Sequence, residues 1–384
     1  MRFEFATASR IIFGAGAIRQ AGPLAGEFGR RALVTTGRDA TRAKRLLEAL
    51  REVEVGAVSF AIEGEPDLEM IRRGVALARQ ERCDLVIGFG GGSALDAGKA
   101  IAAMLTNDGD VLDYLEVIGG GKALARSPAP MLAIPTTAGT GAEVTRNSVL
   151  TSPGHRLKVS LRSPLMLPKV ALVDPELTWD LPPALTASTG LDALTQLIEP
   201  YVSGRANPMT DGLCVEGIRR AARSLRIVLD HSHNADAREA MALASLFGGL
   251  ALANAGLGAV HGLAGVIGGM FGAPHGAICA ALLPRVMSVN LAALRSRDPA
   301  SPALPRYQEV AGLLTGRNNA RADDGVDWVA QLVSDLQIPR LGAYGLTARH
   351  TADLVEKSKN ASSMKANPIV LTREELSAVV EEAL

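Results

Sequence analysis

An excess of charge of either sign is missing from this chain. Lys and Arg number 40, and so do Asp and Glu, so the formal net charge is zero. A neutral chain lacks the electrostatic footprint that a nucleic-acid or acidic-membrane partner requires. Cysteine is scarce: Cys83, Cys214 and Cys279 are odd in number and widely spaced, offering neither a disulfide framework nor a CxxC zinc signature. The opening MRFEFATASRIIFGAG holds no apolar signal core, so a reduced cytoplasmic compartment is the expectation. Aromatic residues make up 4%, and Trp179, Tyr201 and Trp328 are too few to mark an interface. No internal repeat and no low-complexity tract is present. Two familiar phosphate-binding patterns are also missing. GxGxxG would need glycine where Ser93 stands, and the P-loop would need Ser or Thr where Ala100 follows Gly98-Lys99.

Charge itself is absent from one long stretch. Between Ala240 and Pro284 there is no Asp, Glu, Lys or Arg, and the only strongly polar rings are His261 and His275. A run so uncharged is buried in protein or in lipid, and imidazoles are costly in either place unless paired. Lipid is excluded by the scattered glycines, by Pro274, and by the lack of flanking cationic or aromatic belts. On one straight helix, residues 14 apart would stand roughly 21 Å apart at about 1.5 Å per residue. A site shared by both histidines therefore requires a turn, which Gly268, Gly269, Gly272 and Pro274 permit. The expectation is two helices, one ending near Gly268 and one whose first position is Pro274. Two separately hydrogen-bonded core histidines are the alternative.

What is present fits a large globular protein: 384 residues, 47% apolar and 21% charged, allow two or three domains with a sizeable core. In the first half, apolar runs at Arg31–Thr35, Val53–Phe60, Leu85–Phe89, Met131–Ile134 and Val170–Val173 alternate with helical spacing at 40–50, 67–79 and up to Met104. Such alternation predicts a mostly parallel, helix-covered sheet. Residues 147–161 read as a hairpin around Ser152-Pro153-Gly154. After Pro182-Pro183 the pattern is helical, at about 186–203, 208–230, 236–255, 347–358 and 372–383, with 295–325 read as loop plus a short helix. The domains expected are 1–181, α/β and dinucleotide-binding, and 182–384, all-helical.

Gly88-Phe89-Gly90-Gly91-Gly92-Ser93 ends the strongest strand and opens a helix, a place where backbone N–H groups meet an anion. A tight turn needing glycine is the alternative. Pro135-Thr136-Thr137-Ala138-Gly139-Thr140-Gly141-Ala142-Glu143 is a second polar loop at a strand end, suited to ribose and phosphate. Thr140 and Glu143 also have capping-box spacing.

GGGSALDAGK (90–99), PTTAGTGAEVT (135–145), DPELT (174–178), GLDALTQLIEPYVS (190–203) and the HG…PHG pair (261–262, 274–276) occur in one order. Together they closely resemble the iron-dependent (group III) alcohol dehydrogenase family, over nearly the whole chain. The resemblance implies the dehydroquinate synthase-like fold: an α/β N-terminal dinucleotide-binding domain plus an all-α C-terminal domain, with coenzyme and divalent metal meeting in the interdomain cleft. It implies NAD(P)-dependent hydride transfer between a nicotinamide coenzyme and a small-molecule alcohol, aldehyde or ketone, and a homodimer or larger assembly. It places Gly90, Gly91, Gly92, Ser93 and Asp96 at the coenzyme phosphates and Thr136, Thr137 and Thr140 in the second coenzyme loop. Lys158 matches a lysine that reaches the coenzyme from the hairpin. Asp192, His261 and His275 match three of four metal ligands, Fe2+ or Zn2+ being the candidate ions.

The fourth ligand position departs from the family pattern, with Gln196 where histidine is expected. Gln196 shares a helical face with Asp192, but its carbonyl oxygen is a weaker transition-metal ligand than imidazole. Gly265 stands where many members carry a further histidine. Three readings follow: a metal on Asp192, His261 and His275 completed by Gln196 or water; a metal-independent reductase of the maleylacetate reductase type; or an idle polar pocket. Asp192 as a helix N-terminal acid and Gln196 as an interhelical hydrogen bond are the structural alternatives. Other functional classes are a dehydroquinate synthase-like lyase, disfavoured by the uncharged 240–284 stretch, and a noncatalytic dinucleotide-binding protein. The small residues of 260–270 predict a largely apolar substrate pocket. Thr35-Thr36-Gly37-Arg38 lacks the acid that holds ribose hydroxyls, and Arg38 favours NADP, although Asp39 is one step further on.

Overall fold

The computed structural model describes residues 2–155 and 157–384; Met1 and Arg156, the latter inside the expected hairpin, lie outside the described residues. The chain groups into two units: residues 6–137 with 141–179, and residues 180–384 with 138–140 and the segment ending at Phe5.

The first unit is a parallel sheet covered on both faces. In chain order it contains β1 (Arg10–Phe13), α1 (Ala21–Gly26), β2 (Arg31–Thr36), α2 (Lys44–Glu52), β3 (Gly56–Ala61), α3 (Leu68–Gln80), β4 (Leu85–Gly90), α4 (Gly92–Thr106), β5 (Met131–Pro135), β6 (Asn147–Ser152), β7 (Leu157–Arg162) and β8 (Val170–Val173). The sheet order is β1-β8-β5-β4-β2-β3, every pair parallel, while β6 and β7 form the antiparallel hairpin. Period-two alternation sends neighbours to opposite faces: Leu33 and Val86 pack with α3 and α4, while Val34 and Ile87 pack with α1 and α2. β4, apolar throughout and buried at every position, is a central strand. β3, at the edge, alternates half-buried and exposed.

This strand order positions a ligand site. From β2 the chain steps out to β3, then returns to the other side of β2 as β4. Open α/β sheets place their ligands where strand order reverses in this way, at the carboxyl ends of the two strands, here after Thr36 and after Gly90. The two ends touch closely: a Cβ on Gly90 would lie 3.3 Å from the Gly37 nitrogen and 2.6 Å from the Ala94 Cβ.

The second unit is helical: α5 (Pro183–Val202), α6 (Pro208–Asp230), α7 (Ala235–Ala255), α8 (Ala259–Phe271), α9 (His275–Arg297), α10 (Ala303–Thr315), α11 (Ala322–Asp335), α12 (Thr351–Ser358) and α13 (Arg373–Glu382). α5 packs against α6, α7 and α9 and is buried along nearly its whole length. Small residues permit this, since a Cβ on Gly276 of α9 would come within 2.5 Å of the Ser188 carbonyl oxygen on α5. The uncharged stretch becomes the second half of α7, α8 and the start of α9, with a 100° bend between α7 and α8. α9 is long and apolar enough to cross a membrane, but 78% of its apolar window is buried inside the protein.

Three details differ from expectation. α8 runs three residues past Gly268, to Phe271, where Gly272 in the left-handed conformation (φ 65°) caps it, and Pro274 is the N-cap of α9 rather than its first position. Residues 295–325 hold the end of α9, all of α10 and the start of α11; Tyr307, Val310, Ala311 and Leu314 of α10 follow a helical period that the intervening polar residues obscure. The N-cap of the turn at 142–144 is Gly141 (φ 58°) rather than Thr140.

Glu143 lies buried, with Oε2 lacking any hydrogen-bond partner among the described residues. Burial raises its pKa from 4.5 to about 7, against the opposing pull of its own backbone N–H and of Lys99. Between pH 4.5 and 7 the folded state therefore binds more protons than the unfolded state, and stability falls as pH rises through that window. Glu143→Gln is expected to stabilise the protein at pH 8 by up to about 3 kcal/mol, with the gain vanishing below pH 4.5. Urea unfolding at pH 4.5 and pH 8 checks this; a gain independent of pH contradicts it.

Candidate metal centre and coenzyme loop

α5 carries a polar stripe through an apolar helix. Asp192, Gln196 and Glu199 stand at i, i+4 and i+7, on one face, and all three are buried. Because α5 begins at Pro183, Asp192 lies in its third turn, and an N-terminal dipole role is removed. Asp192 Oδ1 and Gln196 Oε1 have no hydrogen-bond partner among the described residues, so Gln196 Oε1 makes no interhelical hydrogen bond. Buried oxygens left so are rare and ask for a ligand that the protein does not itself supply.

Glu199 organises the neighbouring helix. Its Oε1 accepts the Val260 backbone N–H at 2.7 Å, serving one of the unpaired donors at the start of α8. Its Oε2 accepts from His261 Nδ1 at 2.6 Å. That bond assigns a proton to Nδ1 and leaves Nε2 as the atom that takes a proton or a metal ion. Gly258, before α8, has to be small, because a Cβ there would lie 2.8 Å from both Glu199 Oε1 and Asn367 Oδ1. Asn367 serves the Ala259 N–H at 3.1 Å and is itself held by Asn290.

The remaining donors come from α9. His275 opens that helix, and its Nε2 lies 3.9 Å from Asp192 Oδ1; His261 Nε2 lies 3.4 Å from the same oxygen. Cys279, one turn beyond His275, brings its Sγ to 3.6 Å from His275 Nε2 and 3.8 Å from His261 Nε2. Donor atoms of Asp192, His261, His275 and Cys279 all lie within 4.8 Å of one another. Three are buried, and the His275 side chain, 30% exposed, forms the open side. Burial pushes the Asp192 carboxyl up, yet His275 and His261 hold it below its ordinary value. Burial likewise pushes the imidazoles down, but for His261 the neighbours Cys279, Glu199 and Asp192, and for His275 Cys279 and Asp192, outweigh it and raise both. The anionic surroundings that draw protons here suit a divalent cation equally well.

In the α/β unit, Gly91 is the N-cap of α4 and supplies no side-chain cap to the first-turn N–H groups. Thr136 follows β5 and donates its N–H to the Gly90 carbonyl at 2.9 Å; Thr137 packs beside Gly91. Asp96 is committed elsewhere: Oδ1 pairs with Lys99 at 2.9 Å and Oδ2 accepts the Val149 N–H at 3.0 Å, tying β6 to α4. Lys99, fully buried, also donates to Ala142 O and Thr145 Oγ1 at 3.0 Å, shaping the loop after β5. Lys158, on β7, pairs with Glu65 at 3.0 Å. Thr140 groups with the helical unit, not with the glycine loop.

Comparison with known proteins matches both units. Residues 8–175 match the model of iron-containing alcohol dehydrogenases, and residues 186–384 match the C-terminal model of the Fe-containing alcohol dehydrogenase family. The chain belongs to the iron-containing alcohol dehydrogenase family. It is 36% identical to 1,3-propanediol dehydrogenase of Klebsiella pneumoniae over 370 residues, 92% of each chain. The crystal structure of a 1,3-propanediol oxidoreductase superposes with a TM-score of 0.93 at 33% identity, covering 100% of both chains. Sulfoacetaldehyde reductase from Bifidobacterium kashiwanohense, solved with NAD+, gives 0.86 at 31% identity over 99% of this chain and 98% of that one. This family member is thus an oxidoreductase with a parallel α/β N-terminal domain and a helical C-terminal domain.

Two residues of the centre escape a reading by ligand pattern. Glu199 carried a signal, being an acid seven residues after Asp192 on an otherwise apolar helix. Cys279 carried one too, four residues after His275, but cysteines judged only by their spacing from one another do not reveal it.

Proposed function

We propose that this dehydrogenase oxidises small alcohols, and reduces the matching aldehydes, with a nicotinamide coenzyme and a divalent metal. The observation that carries the reading is the gathering of Asp192 Oδ1, His261 Nε2 and His275 Nε2, from two helix starts and a buried helix, around an oxygen without a hydrogen-bond partner. The donor set fits a divalent ion: two imidazoles and a carboxylate, with a side open for a substrate oxygen. A metal there supplies Lewis acidity, which lowers the pKa of an alcohol or polarises a carbonyl. The coenzyme supplies the hydride acceptor and donor.

The chain's own part is alignment. Glu199 holds the His261 ring so that Nε2 faces Asp192. Gly91, Gly92 and Ser93 offer N–H groups to a pyrophosphate at the strand-order reversal, with Thr36-Gly37 beside them. Thr136 and Thr137 complete that loop, while Asp96 and Lys99 hold it in shape. Gly265, on α8, leaves open space, since a Cβ there meets nothing within 4 Å. With the small residues around it, this favours an apolar substrate body. Three-carbon diols enter the substrate panel because two relatives act on 1,3-propanediol by name.

The lean to NADP has no support in sulfoacetaldehyde reductase, a relative solved with NAD+. Arg38 is exposed, and Asp39 turns its Oδ1 to the Thr41 N–H at 3.0 Å.

Initial rates with NAD+ and NADP+ over a panel of alcohols, before and after chelation, test the reading. Turnover should be lost on chelation and restored by added metal. Undiminished turnover in metal-free protein would favour the metal-independent reductase instead, which Gln196 alone supports.

A further inference from the structure

We propose that Cys279 is a metal ligand in this chain, completing an Asp192–His261–His275–Cys279 set that prefers zinc to iron. The inference deepens the metal-assisted reading above and rests on it; a substrate oxygen would then be a fifth ligand rather than the fourth.

Geometry comes first. In a tetrahedral zinc site, nitrogen and oxygen ligands sit at ~2.1 Å and sulfur at ~2.3 Å, which places N–S pairs ~3.6 Å apart and N–O pairs ~3.4 Å apart. The cluster shows N–S separations of 3.6 and 3.8 Å and N–O separations of 3.4 and 3.9 Å. His275 and Cys279 are i and i+4 on α9, so one helical face delivers both. Its thiol is wholly buried.

A second, independent observation is the buried oxygen aimed into the cluster. Asp192 Oδ1, on a side chain 2% exposed, stands within 4 Å of both imidazole nitrogens and yet makes no well-aligned hydrogen bond among the described residues. The thiol and both imidazoles converge on that one oxygen, and a shared cation accounts for the convergence of all four donors.

The donor chemistry decides the metal. Gln196, at i+4 from Asp192, offers a neutral carboxamide oxygen that replaces an imidazole poorly. A thiolate is softer than the imidazole it would stand in for, and with the Asp192 carboxylate it neutralises a divalent charge. Soft sulfur in a tetrahedral set selects zinc over iron. Binding requires the thiolate and neutral imidazoles, so metal uptake releases the thiol proton and that of any protonated imidazole, and no electrons move.

Cobalt(II) is the probe, added to chelator-stripped full-length protein. The parent should show tetrahedral d–d bands and a near-ultraviolet sulfur-to-cobalt charge-transfer band. Cys279→Ser should keep the d–d bands, lose the charge-transfer band, and narrow the zinc-over-iron affinity ratio about tenfold or more. The parent spectrum decides the sulfur question even if the variant folds poorly. Cobalt bound with d–d bands but no charge transfer overturns the Cys279 assignment and leaves the metal reading standing. A charge-transfer band that survives in Cys279→Ser also overturns it. No cobalt uptake by the parent overturns both.

Discussion

Replacing His261 with alanine is expected to strip the protein of metal and to lower kcat/KM for alcohol oxidation by ~10³-fold or more. A Lewis acid contributes several kcal/mol to such a reaction, and about 1.4 kcal/mol is a factor of ten, so losing it costs at least three decades. The cause is local. His261 is the link between two buried carboxylates: its Nδ1 holds Glu199 at 2.6 Å and its Nε2 faces Asp192 at 3.4 Å. Without the ring, both buried carboxylates lose a close imidazole partner. Breaking a buried charged pair in this way costs about 3–5 kcal/mol of stability, partly offset here because Glu199 keeps the Val260 N–H. Metal analysis, thermal unfolding and initial rates on the same preparation check all three effects. Metal content and rate within a few-fold of the parent would contradict the assignment of His261.

Changing Glu199 to glutamine is expected to weaken metal binding by about 10–100-fold, although Glu199 is not one of the converging donors. The carboxylate has two acceptors and uses both, Oε1 for the Val260 N–H and Oε2 for His261 Nδ1–H. Glutamine has one carbonyl oxygen and cannot serve both donors in the same orientation. Either the first turn of α8 loses its cap or the imidazole loses its orientation and its added basicity. The expected signature is a raised metal requirement with kcat largely recovered at saturating metal, which separates positioning from direct participation. Unchanged metal affinity would show that Glu199 is only a helix cap.

The large features were legible because they rest on short-range chemistry. Alternating apolar runs marked the parallel sheet, and the Gly90–Gly92 run at the end of the most apolar strand marked its central turn. The helical pattern read from about 208 begins where Asn207 caps α6 and Pro208 takes its first position. Gly272 and Pro274 forced the break that lets His261 and His275 approach one face. What stayed hidden depends on which residue occupies a position in space. Thr140 and Glu143 have the spacing of a capping box, but Gly141 can adopt the left-handed turn and takes the cap itself. Pro182-Pro183 read as punctuation, whereas Pro183 is the first residue of α5, and this moves Asp192 from a helix end to a helix interior. Asp96 sits in the glycine-loop motif, yet Lys99 and Val149 claim its oxygens. Cys279 and Glu199 were missed because each pairs with a residue on another helix or on another motif, which spacing between like residues does not reveal.

The central claim is that three far-separated side chains hold one divalent ion within the helical unit. Anomalous diffraction from crystals of the metal-loaded protein tests it most directly. The account predicts a single strong peak within bonding reach of Asp192 Oδ1, His261 Nε2 and His275 Nε2. A peak elsewhere, or none in a preparation that turns over alcohol at full rate, would contradict it.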